Sequence, residues 1–219
     1  MALEYLSLLK MIVYHLRGAI KMLIIIHRVN TIEKLKEVPK ECGVEIDVRA
    51  EGKNLILNHD PFHGGENLEE YLKHFNHRFI LFHLKETGIE DKIIDLAKKF
   101  NIDDYFFLDM ENPLVYKATR ERSFKKIAVR YSEAEPIEFA LAHRGLVEWV
   151  YIDTQTTLPL DKYLYNRLKG AGFKLCLVCP NLFGRRDDIN KYREFMKQNN
   201  IYLDAVMPEL DDIEEWKRD

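Results

Sequence analysis

From Met22 onward the chain alternates short apolar runs with longer charged segments of helical period, and this alternation constrains the fold more than any other feature. Short continuous apolar runs suit strands buried on both faces, while apolar residues recurring at i and i+4 suit helices packed on one side. Strands are expected at 22–27, 44–49 with a companion at 54–58, 79–85, 105–110, 126–131, 148–153, 174–179 and 205–207. Helices fit between them at 31–41, 68–75, 89–100, 114–122, 136–143, 160–171, 187–199 and 211–217. The 160–171 segment shows the logic: Asp161 and Lys162 face solvent, Leu164 and Leu168 recur at i and i+4, and Gly170 and Gly172 stop the helix before an extended run resumes.

Regular strand–helix alternation demands a parallel sheet covered by helices. With the pair in the second unit taken as one barrel strand plus a short extension, eight units result, the number that closes the TIM (β/α)8 barrel of the α/β class. About 190 residues for eight units is short against the usual ~250, so the barrel must be compact and its loops tight. The alternative, a doubly wound open sheet, normally places a glycine-rich turn after its first strand, whereas His27-Arg28-Val29-Asn30 stands there. No linker or low-complexity tract interrupts 22–219, which is expected to be one barrel domain.

Residues 1–21 form a separate N-terminal extension, expected as an extra helix. Glu4, Lys10, His15, Arg17 and Lys21 break it too often for a bilayer span, and no small-residue cleavage site follows an apolar core. A helix packed on the domain or appended to it is the expectation; contact with a membrane surface stays open. The lack of an export signal points to the cytoplasm. The 219 residues are 47% hydrophobic and 32% charged with a net charge of -3, which fits a globular domain and lacks the basic footprint of a nucleic-acid partner. Three cysteines fit a reduced compartment, and Cys176 and Cys179, inside an apolar run, read as small buried hydrophobes rather than a metal or redox pair.

In a barrel of this kind, catalytic side chains project from the carboxyl ends of the strands. There the polar residues gather: His27 and Arg28 after the first strand, Glu45, Asp47 and Arg49 on one face of the second, and His59-Asp60 after its companion. His83 and Lys85 end the third strand, Asp109 and Glu111 the fourth, Arg130 the fifth and Asp153 the sixth. Neighbouring carboxylates repel unless a cation or proton lies between them. Carboxylates, histidines, an arginine and a lysine on one rim suit a phosphate ester with a hard divalent cation. No serine or cysteine stands in a nucleophile-elbow turn, and no H-E-x-x-H spacing is present.

In that order, His27-Arg28, Glu45-x-Asp47 and His59-Asp60 resemble the glycerophosphodiester phosphodiesterase family of phospholipase-C-like phosphodiesterase barrels. The resemblance implies that His27 and His59 act as the general acid/base pair, that Glu45 and Asp47 bind a divalent metal, and that Arg28 and Lys85 hold the phosphate. The implied substrate is a small-molecule phosphodiester, and the implied cofactor is Mg2+ or Ca2+. The family's third strand usually reads Glu-x-Lys with the glutamate as a metal ligand; this chain has His83-Leu84-Lys85. Asp109 is the preferred source of the missing oxygen, because it ends the adjoining strand and shares a face with Phe107, whereas Glu86 points opposite to His83 and Lys85. Alternatively, His83 ligates a borderline metal through neutral imidazole, or arginine and lysine supply the charge without metal. Two further readings are a non-catalytic barrel that binds a phosphorylated sugar or lipid head group, and an isomerase or aldolase using Lys85 as base or Schiff-base amine.

Overall fold

A computed structural model describes residues 22–217; the helix expected over 1–21 lies outside the described residues. The chain enters β1 (Leu23–Ile26), all of it buried, and leaves it through a turn at 27–30 into α1 (Ile32–Glu37), capped by the Thr31 side chain accepting from the Lys34 amide. The helix is shorter than the pattern suggested. Pro39 forces Val38 into an extended conformation (φ -75, ψ 132), which stops the helix at Glu37.

Strand β2 (Gly43–Glu51) then turns back through Gly52 (φ 60) into β3 (Asn54–Leu57), its antiparallel companion, and β4 (Glu66–Asn67) adds to that hairpin's outer edge. Next come α2 (Leu68–His74), β5 (Phe79–Leu84), α3 (Glu90–Lys99), β6 (Tyr105–Leu108), α4 (Asn112–Glu121) and β7 (Ala128–Tyr131). The chain finishes with α5 (Ile137–Ala142), β8 (Trp149–Ile152), α6 (Lys162–Gly170), β9 (Lys174–Val178), α7 (Asp188–Gln198), β10 (Ala205–Met207) and α8 (Ile213–Lys217).

The parallel pairings run β1–β2–β5–β6 and β7–β8–β9–β10, with a bridge from Phe107 to Ile127 joining the two arcs. Leu23 opposite Ala205 and Ile24 opposite Val206 return β10 to β1, so the ring closes. This is the eight-stranded α/β barrel, with the β3–β4 hairpin standing on β2 outside the ring.

Period two sorts the side chains. Leu23, Ile25, Phe79, Leu81, Phe106, Ala128, Trp149, Tyr151, Cys176 and Met207 fill the barrel interior, while Ile24, Ile26, Val44, Ile46, Ile80, Phe82 and Val150 pack outward against the helices. The Phe106 and Trp149 rings stack at 4.9 Å and Phe79 meets Trp149 at 5.8 Å, which plugs the lower end. Gly43 makes room for them, since a Cβ there would come within 2.9 Å of Phe79 Cβ. Cys176 and Cys179 are free and buried, as read from the sequence; burial drives both thiols up, Cys179 to about 11. Among the described residues no helix is long and apolar enough to cross a membrane.

Candidate active site at the carboxyl mouth of the barrel

The inward positions that are apolar at the bottom of β2 and β5 become polar at the top. Glu45 and Asp47 follow Gly43 on the inner face of β2, and His83 continues the inward series after Phe79 and Leu81. Register pairs Asp47 with His83 across β2 and β5, so the imidazole lies against both carboxylates: Nδ1 is 2.9 Å from Glu45 Oε1 and 3.4 Å from Asp47 Oδ1. Lys85, one inward step further, sets its Nζ 3.0 Å from Asp47 Oδ1.

Glu45 and Asp47 are both completely buried, and an isolated charge there would cost several kcal/mol, roughly, before compensation. Compensation comes partly from the turn after β1. Arg28, in the left-handed region (φ 50), donates its amide to Glu45 Oε2 at 2.6 Å, and the Val29 amide donates to the Glu45 carbonyl at 2.8 Å. Asn30 grips Asp47 at both ends: its Nδ2 donates to Oδ2 and its Oδ1 accepts from the Asp47 amide, each at 2.8 Å. Burial alone would raise the Glu45 carboxyl, but the bond and charge of His83, the charge of His27 and the Arg28 amide outweigh it and hold it near about 2. Burial likewise opposes the charge on His83, and its bonds to Asp109 and Glu45 reverse the balance and raise it.

A second group of charges stands beside this one. His83 Nε2 meets Asp109 Oδ2 at 2.7 Å, and Arg130 clamps Asp109 through Nε and a terminal nitrogen at 2.6 and 2.7 Å. Arg130 also donates to Asp153 at 2.6 Å and lies over the Tyr151 ring. Phe107 packs in the outer layer, so simple alternation would send Asp109 outward as well. The left-handed backbone of Asp109 (φ 60) breaks the alternation and turns its carboxylate into the mouth. Asp109 thus arrives where expected by a route that alternation does not supply. Glu86 does not arrive: its oxygens face Arg49 and accept from the Ala50 amide.

The remaining histidines each hold a carboxylate on Nδ1. His27 meets Glu209 Oε1 at 2.7 Å, and His59 meets Asp60 Oδ1 at 2.8 Å, which leaves Nε2 of both rings for other work. His59 sits on the loop between β3 and β4, and Arg49 ties it to the barrel by donating to the His59 carbonyl at 2.8 Å. Hydrogen bonding to His59 lowers the Asp60 carboxyl, and the charges of His59 and of the exposed Arg28 lower it further.

Two contributors escaped sequence reasoning. Glu209, beyond β10, ends the last barrel unit as Asp153 ends an earlier one, and the same strand-end logic would have found it. Asn30 carried no such signal beyond its place three residues after His27. A hollow of about 720 Å³ between α3 and α4, lined by Ile94, Tyr105, Leu114 and Phe124, shares none of these residues and lies away from the mouth.

Fit to a divalent ion is testable on the donors themselves. Glu45, Asp47 and His83 each offer one atom, and these atoms lie within 4.8 Å of one another. Asp47 Oδ1 is buried, and its near partner is the Lys85 ammonium at 3.0 Å, so the atom that would face the ion already draws a cation. The residues present fit the ion.

The fold and mouth define a closed eight-stranded α/β barrel with an acidic, histidine-bearing site at the carboxyl ends of its strands. Solved structures of this architecture include a glycerophosphodiester phosphodiesterase from Agrobacterium tumefaciens, with a TM-score of 0.64 at 15% identity over 90% of this chain and 99% of that one. A glycerophosphoryl diester phosphodiesterase from Parabacteroides distasonis gives 0.61 at 13% identity over 89% and 85%. An Oleispira antarctica phosphodiesterase, solved with its product sn-glycerol-3-phosphate, gives 0.58 at 16% identity over 87% and 94%. No family model matches the sequence, and no curated protein matches it.

Proposed function

We propose that this protein is a phosphodiesterase that cleaves a small glycerophosphodiester, with His27 and His59 as the acid/base pair and a divalent ion held by Glu45 and Asp47 with His83. The observation that carries the reading is the buried, compensated Glu45–Asp47–His83 cluster at the mouth of a barrel shared with solved glycerophosphodiester phosphodiesterases. The bound sn-glycerol-3-phosphate of the Oleispira antarctica enzyme supports a glycerol phosphate as product here.

Attack on phosphorus comes from a neighbouring substrate hydroxyl or from water. One histidine removes the nucleophile's proton at Nε2 and the other protonates the leaving oxygen, each oriented by its own carboxylate, Glu209 or Asp60. Arg28 and Lys85 bind the equatorial oxygens, where negative charge grows in the transition state. A divalent ion held by Glu45, Asp47 and His83 would supply Lewis-acid chemistry at the phosphoryl group. Asp109 is better placed to orient His83 than to ligate, because both of its oxygens are engaged by Arg130 and His83. Lys85 is ion-paired with Asp47, which disfavours a Schiff-base role. The oxygen donors alone suit Mg2+ or Ca2+, and the imidazole of His83 shifts that preference towards ions that favour nitrogen. The free, buried cysteines fit the reduced compartment of a cytoplasmic enzyme.

The test is turnover of glycerophosphocholine and bis(p-nitrophenyl) phosphate by the purified chain with each divalent cation, with release of glycerol phosphate measured directly. Binding of glycerol phosphate with no turnover under any cation would replace this reading by a non-catalytic head-group binder.

A further inference from the structure

Each donor in the cluster is held from behind as well as presented in front. Glu45 gives Oε2 to the Arg28 amide, Asp47 gives Oδ2 to Asn30 and His83 sets Nε2 against Asp109, which leaves Oε1, Oδ1 and Nδ1 on the inner side, where Nδ1 bonds Glu45 Oε1 and the Lys85 ammonium lies 3.0 Å from Asp47 Oδ1. The retained atoms are those that converge, with Nδ1 2.9 Å from one oxygen and 3.4 Å from the other. Adjacent donors around an ion with bonds of ~2.1 Å stand ~3.0 Å apart in an octahedron and ~3.4 Å in a tetrahedron. Ca2+, with bonds of about 2.3–2.6 Å, takes roughly six to eight oxygens, more than this cluster offers.

Resting on the phosphodiesterase reading above, we propose that the resident ion is a borderline first-row cation of the Mn2+–Co2+–Zn2+ group rather than Mg2+ or Ca2+, selected by His83 as third ligand and by Asp109 and Arg130 behind it. A neutral nitrogen in place of an anionic oxygen weakens the hold on a hard ion and strengthens it for one that favours imidazole. The carboxylate behind that imidazole fixes the ring and raises its basicity as a ligand. Arg130, bonded to both Asp109 oxygens and to Asp153, fixes the carboxylate in turn. Asp109 and Arg130 are positioning residues: they act on the ion only through His83.

The experiment is calorimetric titration of the full, metal-stripped chain with Mn2+, Zn2+, Mg2+ and Ca2+, and with Co2+ followed by its visible spectrum, without substrate. The parent is expected to bind Mn2+ and Zn2+ at least ~10-fold more tightly than Mg2+. His83→Glu should narrow or reverse that ratio by tightening Mg2+ and Ca2+, and Asp109→Asn should weaken Zn2+ by ~10–100-fold and perturb the Co2+ bands. Should His83→Glu not fold, His83→Gln serves: it should lose Zn2+ affinity while Mg2+ affinity changes little. Equal affinity of the parent for Mg2+ and Zn2+, or an unchanged ratio in either folded His83 variant, would overturn the proposal. Since these are binding measurements, failure of the phosphodiesterase reading would show separately, as metal-loaded protein that turns over no diester.

Discussion

The two arcs of the barrel use the same strand-end positions to different effect. Around β1, β2 and the β3–β4 loop the groups are not closed on one another: Asp47 Oδ1 faces the Lys85 ammonium at 3.0 Å, and His27 and His59 each hold a carboxylate on Nδ1 with no partner at Nε2 among the described residues. On β7 and β8 the charges close on one another, since Arg130 spans Asp109 and Asp153 and Asp153 also accepts from the Thr154 amide. A rim of charged strand ends is therefore not uniformly a site. Where valence is left over it can bind, and where every atom is matched it braces.

That contrast is sharpest at His59. His59→Ala should lower diester turnover by about 10²–10⁴-fold, the usual worth of a positioned acid or base, with an unchanged melting temperature, because the half-exposed ring adds little to the core. A variant that unfolds would move His59 from the reactive arc to the structural one.

On the brace, Arg130→Met should cost about 3 kcal/mol of stability, since it leaves Asp109 and the buried Asp153 uncompensated. Chemical denaturation reads this directly. A loss under about 0.5 kcal/mol, the level of an exposed pair, would erase the distinction between the arcs. Asp109→Asn should reduce activity at limiting cation by roughly 10–100-fold, and Glu86→Gln should do far less, because Glu86 serves Arg49 and the Ala50 amide outside the mouth. Equal effects would place the two carboxylates on the same footing.

The smallest effect is on the pH dependence of the metal-free protein. Glu45 is held near about 2 against an ordinary 4.5, so its contribution is present above pH 4.5 and is lost as pH falls towards about 2. His83 is raised above its ordinary 6.5, so its contribution is complete below that pH and fades as pH rises past the raised value. Melting of the chelated protein should therefore be most favourable between these limits, and His83→Gln should flatten the alkaline side. A parent curve already flat above neutrality would remove the imidazolium from the cluster.

Much of this was legible in residues. Apolar runs marked every barrel strand, and alternation put Glu45, Asp47 and Arg49 on one face of β2, to which the parallel register with β5 adds His83 opposite Asp47. The route of Asp109 was not legible: a left-handed residue reverses the side-chain direction that strand periodicity forecasts, and nothing in Leu108-Asp109-Met110 announces it. The Asn30 clamp was hidden because it depends on a turn folding back over β2, a tertiary event without a local pattern. Helix ends failed locally too, as at Pro39.

One of the histidines stands on the ring and the other does not. The loop bearing His59 runs from β3 to β4, outside the closed strands, and is pinned by Arg49 at its base and by Asn58 donating to the Gly64 carbonyl across its neck. Phe62, fully exposed, crowns it. Lengthening or recolouring that loop leaves the barrel's pairings untouched, so the scaffold and the reach of its reactive rim are separable inheritances. Changes within the eight residues 58–65 alter the rim beside His59, while β2 and β5, which carry Glu45, Asp47 and His83, stay constrained by the cluster as well as by packing.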